Sequence, residues 1–215
     1  MRTLYYFQYS PFSRRTRLAL AHKGLECELK EARQEPAHRM KAARYWPLGT
    51  IPVFVDAGGS ALGDSTAITR YLDAAYPERP VWPTEREAAR VTMEVTSLVD
   101  AALNLIVDVG TRYFALSSHA EWANVRGELI GRAQRALDAL ATQVEGKDGR
   151  ALTDHGWGAA DMWLFTLVAW LEGLPARAPT AANIAQIMTL PWSVPPALTR
   201  WAAPLKERAD VVALG

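Results

Sequence analysis

The spacing of apolar residues divides the chain into two parts. Up to about residue 76, short apolar runs alternate with amphipathic stretches, which is the pattern of a small α/β unit. The predicted strands are residues 3–7, 27–30, 51–55 and 61–62, and the predicted helices begin at Ser10, cover residues 36–44, and begin again at Asp64. We therefore expect a first domain at residues 1–76.

The second part of the chain has the pattern of helices alone. Three prolines, at positions 77, 80 and 83, predict a linker over residues 77–83. Beyond them, apolar side chains recur at helical spacing, and the predicted helical segments are residues 95–109, 122–140, 159–171, 180–189 and 196–209. Residues 159–171 are apolar almost all round, which predicts a helix buried within a bundle. We expect residues 84–215 to form an all-helical domain.

Composition and charge narrow the classes of function. The 215 residues are 49% hydrophobic and 22% charged, and the formal net charge is +1. This balance gives no general attraction to nucleic acid or to an anionic membrane. No apolar run reaches the ~18 residues that a membrane span needs, and the N-terminus lacks the apolar core of a signal peptide. We expect a cytoplasmic protein without a nucleic-acid or membrane partner.

Cysteine and histidine usage argues against redox and metal chemistry. The single cysteine, Cys27, excludes an intramolecular disulfide. It lies in a predicted strand, where we expect it to be a small buried apolar side chain. The four histidines are scattered without the spacing of metal ligands, so we expect no metal site.

The candidate chemistry lies where the first predicted strand passes into a helix. Ser10 is a favoured N-cap residue, and Pro11 suits the first helical position because its missing N–H would have no partner there. A helix N-terminus attracts anions, and a hydroxyl at that point could bind a thiolate. Lowering a thiol pKa from about 8.5 to about 6.5 takes roughly 2.7 kcal/mol. One charge-assisted hydrogen bond of about 1.5–3 kcal/mol and one helix end of roughly 0.3–1 kcal/mol are enough.

Three motifs in order resemble those of the glutathione transferase superfamily. The run from Ser10 to Leu20 is similar to the serine- or cysteine-led helix opening of the theta-, zeta-, beta- and omega-type members. The run from Pro47 to Val53 is similar to the family's Asn-Pro-x-Gly-x-Val-Pro strand entry. The run from Leu62 to Ile68 is similar to its Glu-Ser-x-Ala-Ile helix start. With the linker and the helical half behind them, the resemblance covers essentially the full length.

The resemblance implies a fold and an activity. The fold would be a thioredoxin-like N-terminal domain followed by an all-helical C-terminal domain. The enzyme would conjugate the glutathione thiolate, stabilised by Ser10, to a small apolar electrophile. No cofactor is implied beyond glutathione as co-substrate, and family members usually form two-fold homodimers.

The resemblance also implies which residues bind each substrate. Pro52 would follow a cis peptide bond that turns the Ile51 backbone towards the peptide ligand. Asp64 and Ser65 would hold the α-carboxylate of the γ-glutamyl group at a helix start. The candidate residues for the electrophile pocket are Phe12, Tyr113 and Phe114.

Other hydroxyls compete with Ser10 for the sulfur. Several classes of the family use a tyrosine at the end of the first strand, and Tyr6 could reach that place, with Tyr5 and Tyr9 beside it. Ser13 lies one turn inside the helix. The structural interpretation of Ser10 is a helix cap only, although a hydroxyl can cap with a lone pair and still donate its proton.

Two departures from the family's pattern and two other functions stay open. Trp46 stands where the family usually has asparagine, and Gly158 stands where its buried helix usually opens with Ser or Thr. Because glycine is a tolerable N-cap, we expect a modest loss of stability there. One alternative function is a glutathione-dependent isomerase or dehalogenase-like enzyme. The other is a non-catalytic module that binds glutathione or another protein.

Overall fold

A four-stranded mixed sheet forms the centre of the first part of the protein, in a computed structural model that describes residues 1–214. The strands are β1 (Thr3–Tyr6), β2 (Glu28–Glu31), β3 (Val53–Val55) and β4 (Ala61–Gly63), in the order β2-β1-β3-β4. β1 runs parallel to β2 and antiparallel to β3, and β3 and β4 form an antiparallel hairpin. All four predicted strands are present. β3 begins after Pro52, which has no N–H to give to a sheet ladder.

Three helices accompany this sheet. They are α1 (Pro11–Lys23), α2 (Pro36–Tyr45) and α3 (Ser65–Ala75). α1 ends at Gly24, whose φ of 69° is the left-handed conformation that glycine adopts without strain. α1 is buried along most of its length, since it packs against α3 and against helices of the second part of the protein.

The rest of the described chain is helical. Two long helices, α4 (Arg86–Leu116) and α5 (Trp122–Val144), pack against each other, and α6 (Ala159–Glu172) lies beside α4 and α1. The shorter helices are α7 (Leu174–Arg177), α8 (Ala182–Met188), α9 (Pro196–Ala202) and α10 (Ala209–Val212), with 3-10 turns at Ala178–Thr180 and Pro204–Glu207. α6 is buried on nearly all sides, as its sequence predicts. The predicted fold class is confirmed.

One predicted helix is wrong. Residues 196–209 do not form a single helix, because α9 ends at Ala202 and a 3-10 turn separates it from α10. The turn begins at Pro204, whose ring would clash with the carbonyl four residues earlier and which cannot donate the next helical hydrogen bond. Apolar residues keep helical spacing through this segment, so the spacing alone predicts one continuous helix.

The predicted linker is fixed to the first part of the protein. The Asp73 carboxylate in α3 accepts hydrogen bonds from the backbone N–H groups of Val81 and Trp82, at 2.7–3.0 Å. The Lys23 ammonium of α1 donates to Asp73 at 2.8 Å and to the carbonyls of Glu78 and Arg79. The exact limits of the two domains, residues 1–76 and 84–215, stay a prediction, and Gly215 lies outside the described residues. Within residues 1–214, no helix is long and apolar enough to cross a membrane.

Candidate active site

Ser10 caps α1 and keeps its proton available. Its Oγ accepts a hydrogen bond from the Ser13 N–H at 3.3 Å, and its carbonyl accepts the Arg14 N–H at 2.9 Å. The Ser10 hydroxyl is half-buried and donates to no acceptor in residues 1–214, and the Phe12 N–H in the first turn also lacks one there. The first turn contains no acidic side chain. An anion placed at this point would meet two donors and the positive end of a 13-residue helix.

The competing hydroxyls are placed differently. Ser13 is fully buried, and its Oγ accepts the Phe7 N–H at 3.2 Å, which fixes the exit of β1 against α1. Tyr5 is buried between His38 and Tyr45, with ring centroids 6.3 and 6.2 Å away. Tyr6 is half-buried with the Arg17 guanidinium 4.8 Å from its ring, and Tyr9 is 68% exposed. Ser10 is the candidate hydroxyl that lies at the helix start itself.

The entry to β3 has the backbone that the family resemblance implies. The Ile51–Pro52 peptide bond is cis, and Pro52 is buried while Ile51 is half-buried. The Trp46 indole N–H donates to Thr50 Oγ1 at 3.0 Å, which ties the loop before this bond together. A Cβ on Gly63 would lie only 2.1 Å from the Trp46 ring, so the indole packs directly on the backbone of β4.

In the first turn of α3, Ser65 is the residue whose N–H and hydroxyl have no acceptor within the described residues. Asp64, at a φ of 69°, turns its own carboxylate onto the N–H groups of Thr66 and Ala67, at 2.9 Å each. The Asp64 carboxylate therefore occupies these two donors, and the role of Asp64 and Ser65 in holding a ligand carboxylate stays a prediction. The Ser65 N–H has no acceptor within the described residues, and the Ser65 hydroxyl donates to none.

Arg15 supports Ser65 from beneath and joins the two parts of the protein. Its Nε donates to Ser65 Oγ at 2.9 Å, and its Nη1 donates to the Asp100 carboxylate of α4 at 2.5 Å. The guanidinium lies 4.3 Å from the centre of the Trp163 ring of α6 and its side chain is 2% exposed. Burial lowers the Arg15 pKa from its ordinary value, and the charge of Asp100 opposes that effect. Since Arg15 fills a lone pair of Ser65 Oγ, the Ser65 proton is free to point towards a ligand.

The predicted electrophile residues do not form one aromatic cluster. Phe12 is half-buried beneath the Arg15 guanidinium, 5.0 Å from its ring centre. Tyr113 and Phe114, at the end of α4, pair with each other at 5.4 Å, and Phe114 is 71% exposed. No ring pair among the described residues joins them to Phe12. The sequence therefore identified candidate side chains, and their joint role stays a prediction.

Redox and metal chemistry find no support in the described residues. Cys27 is half-buried, and burial raises its thiol pKa to about 11, which makes it a poor nucleophile. No group of three or more His, Cys, Asp or Glu side chains within residues 1–214 could hold a metal ion.

Comparison with known proteins agrees with this arrangement. Residues 4–80 match the family model described as the N-terminal domain of glutathione S-transferase. A curated relative, glutathione S-transferase Z1 of Arabidopsis thaliana, is 31% identical over 159 residues, which cover 67% of this chain and 66% of that protein.

Solved structures share the fold over the whole length. A glutathione S-transferase of Methylobacillus flagellatus KT, crystallised with glutathione bound, superposes with a TM-score of 0.77 at 20% identity and covers 100% of this chain and 99% of that one. A bacterial zeta-class maleyl pyruvate isomerase gives a TM-score of 0.70 at 19% identity, with 99% and 96% covered.

An α/β unit with an open helix start, joined to a helical bundle, is the arrangement that these solved glutathione transferases share in fold. The chain belongs to the glutathione S-transferase superfamily. The relatives that share its sequence are named glutathione S-transferases.

Proposed function

We propose that the protein attacks small electrophiles with the thiolate of glutathione, and that Ser10 stabilises this thiolate. The sulfur forms a bond to the electrophilic carbon, and a leaving group departs with its electron pair or a neighbouring atom takes up a proton. The observation that carries the proposal is the Ser10 hydroxyl at the start of α1. Its proton, like the N–H of Phe12, is donated to no acceptor within residues 1–214.

The γ-glutamyl carboxylate would bind at Ser65. The backbone N–H and the hydroxyl of Ser65 donate to no acceptor among the described residues, whereas the Asp64 carboxylate accepts from the next two N–H groups of the helix. Arg15 donates to the Ser65 hydroxyl oxygen, which leaves the Ser65 proton to donate to this carboxylate. The Ile51 backbone beside the cis bond would pair with the peptide part of glutathione, as in the family resemblance.

Titration of the bound thiol tests the role of Ser10. We expect bound glutathione to lose its thiol proton about two pH units below the free tripeptide, as measured by thiolate absorbance. Ser10→Ala should abolish most of this shift and lower kcat/KM by about 10- to 150-fold, since a charge-assisted hydrogen bond contributes about 1.5–3 kcal/mol. Ser10→Thr keeps the hydroxyl and should retain most of the activity. Ser60→Ala, an exposed serine in the β3–β4 turn, is the matched control.

Two results would contradict this assignment. If Ser10→Ala leaves the bound thiol pKa unchanged and Tyr6→Phe raises it, a tyrosine holds the sulfur. If wild-type protein binds glutathione with an unshifted thiol pKa, the catalytic proposal fails and a non-catalytic binding module is the better description.

A glutathione-dependent isomerase is the second candidate function. The observation that favours it is the likeness to zeta-class proteins, to a glutathione S-transferase of Euphorbia esula in sequence and to the maleyl pyruvate isomerase in fold. Counting glutathione during turnover separates the two, because conjugation consumes one molecule per product and isomerisation returns it. A dehalogenase-like activity would release halide ion instead.

We also propose a two-fold homodimer in the cytoplasm, acting in detoxification. Support for the dimer comes from the family resemblance. Sedimentation equilibrium of the full chain should give twice the 23.7 kDa protomer mass, and a single-protomer mass at micromolar concentration would refute it.

A further inference from the structure

Glu31 is the last residue of β2, and its side chain reaches the loops that follow β1 and β2. The two strands are parallel and pair directly, with Tyr6 opposite Glu31, and the Ala32 N–H donates to the Tyr6 carbonyl at 2.9 Å. Because parallel strands end at the same edge of a sheet, the loops that follow them are neighbours. The loop after β1 leads to Ser10, and the loop after β2 leads to α2.

The Glu31 carboxylate joins these two loops. Its Oε1 accepts from the Gln8 N–H at 3.3 Å, and its Oε2 accepts from the N–H groups of Arg33 and Gln34 at 2.8 and 2.6 Å. Within residues 1–214, no Lys, Arg or His side chain forms an ion pair with Glu31. The partners of this half-buried carboxylate are therefore backbone donors from both loops.

The turn from Phe7 to Ser10 determines where the Ser10 hydroxyl lies. The Ser10 N–H donates to the Phe7 carbonyl at 3.1 Å and closes the turn. The Phe7 N–H donates to Ser13 Oγ at 3.2 Å, and the Gln8 N–H donates to Glu31. Ser13 thus holds the first residue of the turn and Glu31 holds the second, directly before the start of α1.

We propose that Glu31 is a positioning residue for the Ser10 hydroxyl, an inference that rests on the proposed function. The carboxylate holds the Gln8 N–H, and with it the turn, in the place from which the Ser10 hydroxyl donates to the sulfur of glutathione. A hydrogen bond weakens steeply when its angle falls below about 120°. A misplacement of about 1 Å can cost about 100-fold in rate. Glu31 therefore acts on the thiolate through Ser10, without touching the sulfur.

The charge of Glu31 and its hydrogen bonds affect a bound thiolate in opposite directions. A nearby carboxylate disfavours a thiolate, so removing the charge alone would lower the thiol pKa of bound glutathione. Releasing the turn would raise this pKa, because the hydrogen bond from Ser10 to the thiolate weakens. The sign of the change therefore separates positioning from electrostatics. A purely structural role would lower the stability of the protein and leave the thiol pKa unchanged.

The thiol pKa of glutathione bound to the full chain, measured by thiolate absorbance, tests the proposal. Glu31→Ala removes the acceptor for both loops and should raise this pKa by about one unit. Glu31→Gln keeps one acceptor oxygen and should raise it by less. At pH 5, where the bound thiol is protonated in every variant, the affinity for glutathione should change by less than about twofold. Glu26→Ala, an exposed glutamate in the loop before β2, removes the same charge and should change neither quantity.

A double-mutant cycle assigns the effect to Ser10. Glu31→Ala introduced into the Ser10→Ala variant should change the thiol pKa by less than about 0.3 unit, because the hydroxyl through which Glu31 acts is gone. Two residues that act independently would instead give additive changes. If Glu31→Ala does not fold, Glu31→Gln takes its place in the cycle, since positioning raises the thiol pKa and loss of charge alone lowers it.

Three results would overturn the inference alone. In each of them the wild type lowers the thiol pKa of bound glutathione, so the proposed function stands. Glu31→Ala then leaves that pKa unchanged, or lowers it, or raises it equally in the presence and absence of the Ser10 hydroxyl. An unshifted thiol pKa in the wild type would overturn the proposed function and this inference together.

Discussion

The helices α1 and α6 pack against each other, and their N-termini satisfy their first N–H groups in different ways. At α6, the Asp161 carboxylate accepts from the N–H groups of Leu152 and Gly158, and the Val81 carbonyl accepts from Ala159. At α1, a single long hydrogen bond from Ser13 to Ser10 is the side-chain cap. A closed helix start holds the fold together, whereas an open one is available to a ligand.

The N-termini of α6 and α1 also differ in the acidic side chains that lie near them. Asp161 is buried, and this burial raises its pKa to about 6 although it accepts from backbone donors. The protein therefore places a carboxylate of its own at the start of α6. At α1 it leaves the corresponding place without any acidic side chain, which keeps the positive end of the helix for an incoming anion.

Removing each cap in turn should give the largest difference between the two helix starts. Asp161→Ala should lower the free energy of unfolding by about 2–6 kcal/mol, because two buried N–H donors lose their acceptor at about 1–3 kcal/mol each. Ser10→Ala should cost about 1 kcal/mol or less, since its cap bond is long and half-exposed. Urea denaturation of both variants measures this, and similar losses in the two would contradict the comparison.

The pH dependence of stability should carry the signature of Asp161. Because its pKa is higher in the folded protein than in the unfolded chain, the folded state binds more protons between pH 4 and 6. The contribution of Asp161 to stability should therefore fall as the pH rises through this range, by about 2–3 kcal/mol in total.

Asp161→Asn removes the titration and keeps one acceptor oxygen, so it serves as the reference. The stability of the wild type relative to Asp161→Asn should decline from pH 4 to pH 6 and then level off. A difference that stays constant or grows with pH would show that burial does not raise this pKa.

A serine at the start of α6 should be harmful, although the family's pattern usually has a hydroxyl there. A Cβ on Gly158 would lie 2.8 Å from the Val81 carbonyl oxygen and 2.9 Å from His155 Cδ2. Gly158→Ser should therefore destabilise the protein by about 1–2 kcal/mol, as crowding of a packed site does. A higher thermal midpoint for this variant would show that the added cap outweighs the crowding. The structure thus assigns the glycine to packing, which the sequence alone treated as a lost cap.

Features that depend on neighbouring residues could be predicted from the sequence. The helix start at Ser10-Pro11 and the hairpin around residues 57–60 follow from local preferences, and the cis bond before Pro52 follows from the family's motif. Contacts between distant residues could not be predicted. Arg15 and Asp100 are 85 positions apart, and nothing in the sequence of α1 indicates that Arg15 and Arg17 are buried while Arg14 is only half-buried. The Asp64 carboxylate accepts from the Thr66 and Ala67 N–H groups because Asp64 has a positive φ, and no local sequence signal predicts that φ.

The contact between Trp46 and Gly63 limits the routes by which this sequence can change. The indole occupies the place that any side chain at position 63 would need, at 2.1 Å from its Cβ. A residue larger than glycine at 63 and a tryptophan at 46 therefore exclude each other. A side chain at 63 could be accommodated only if the indole moved away, so the effect of a change at either position depends on the residue at the other.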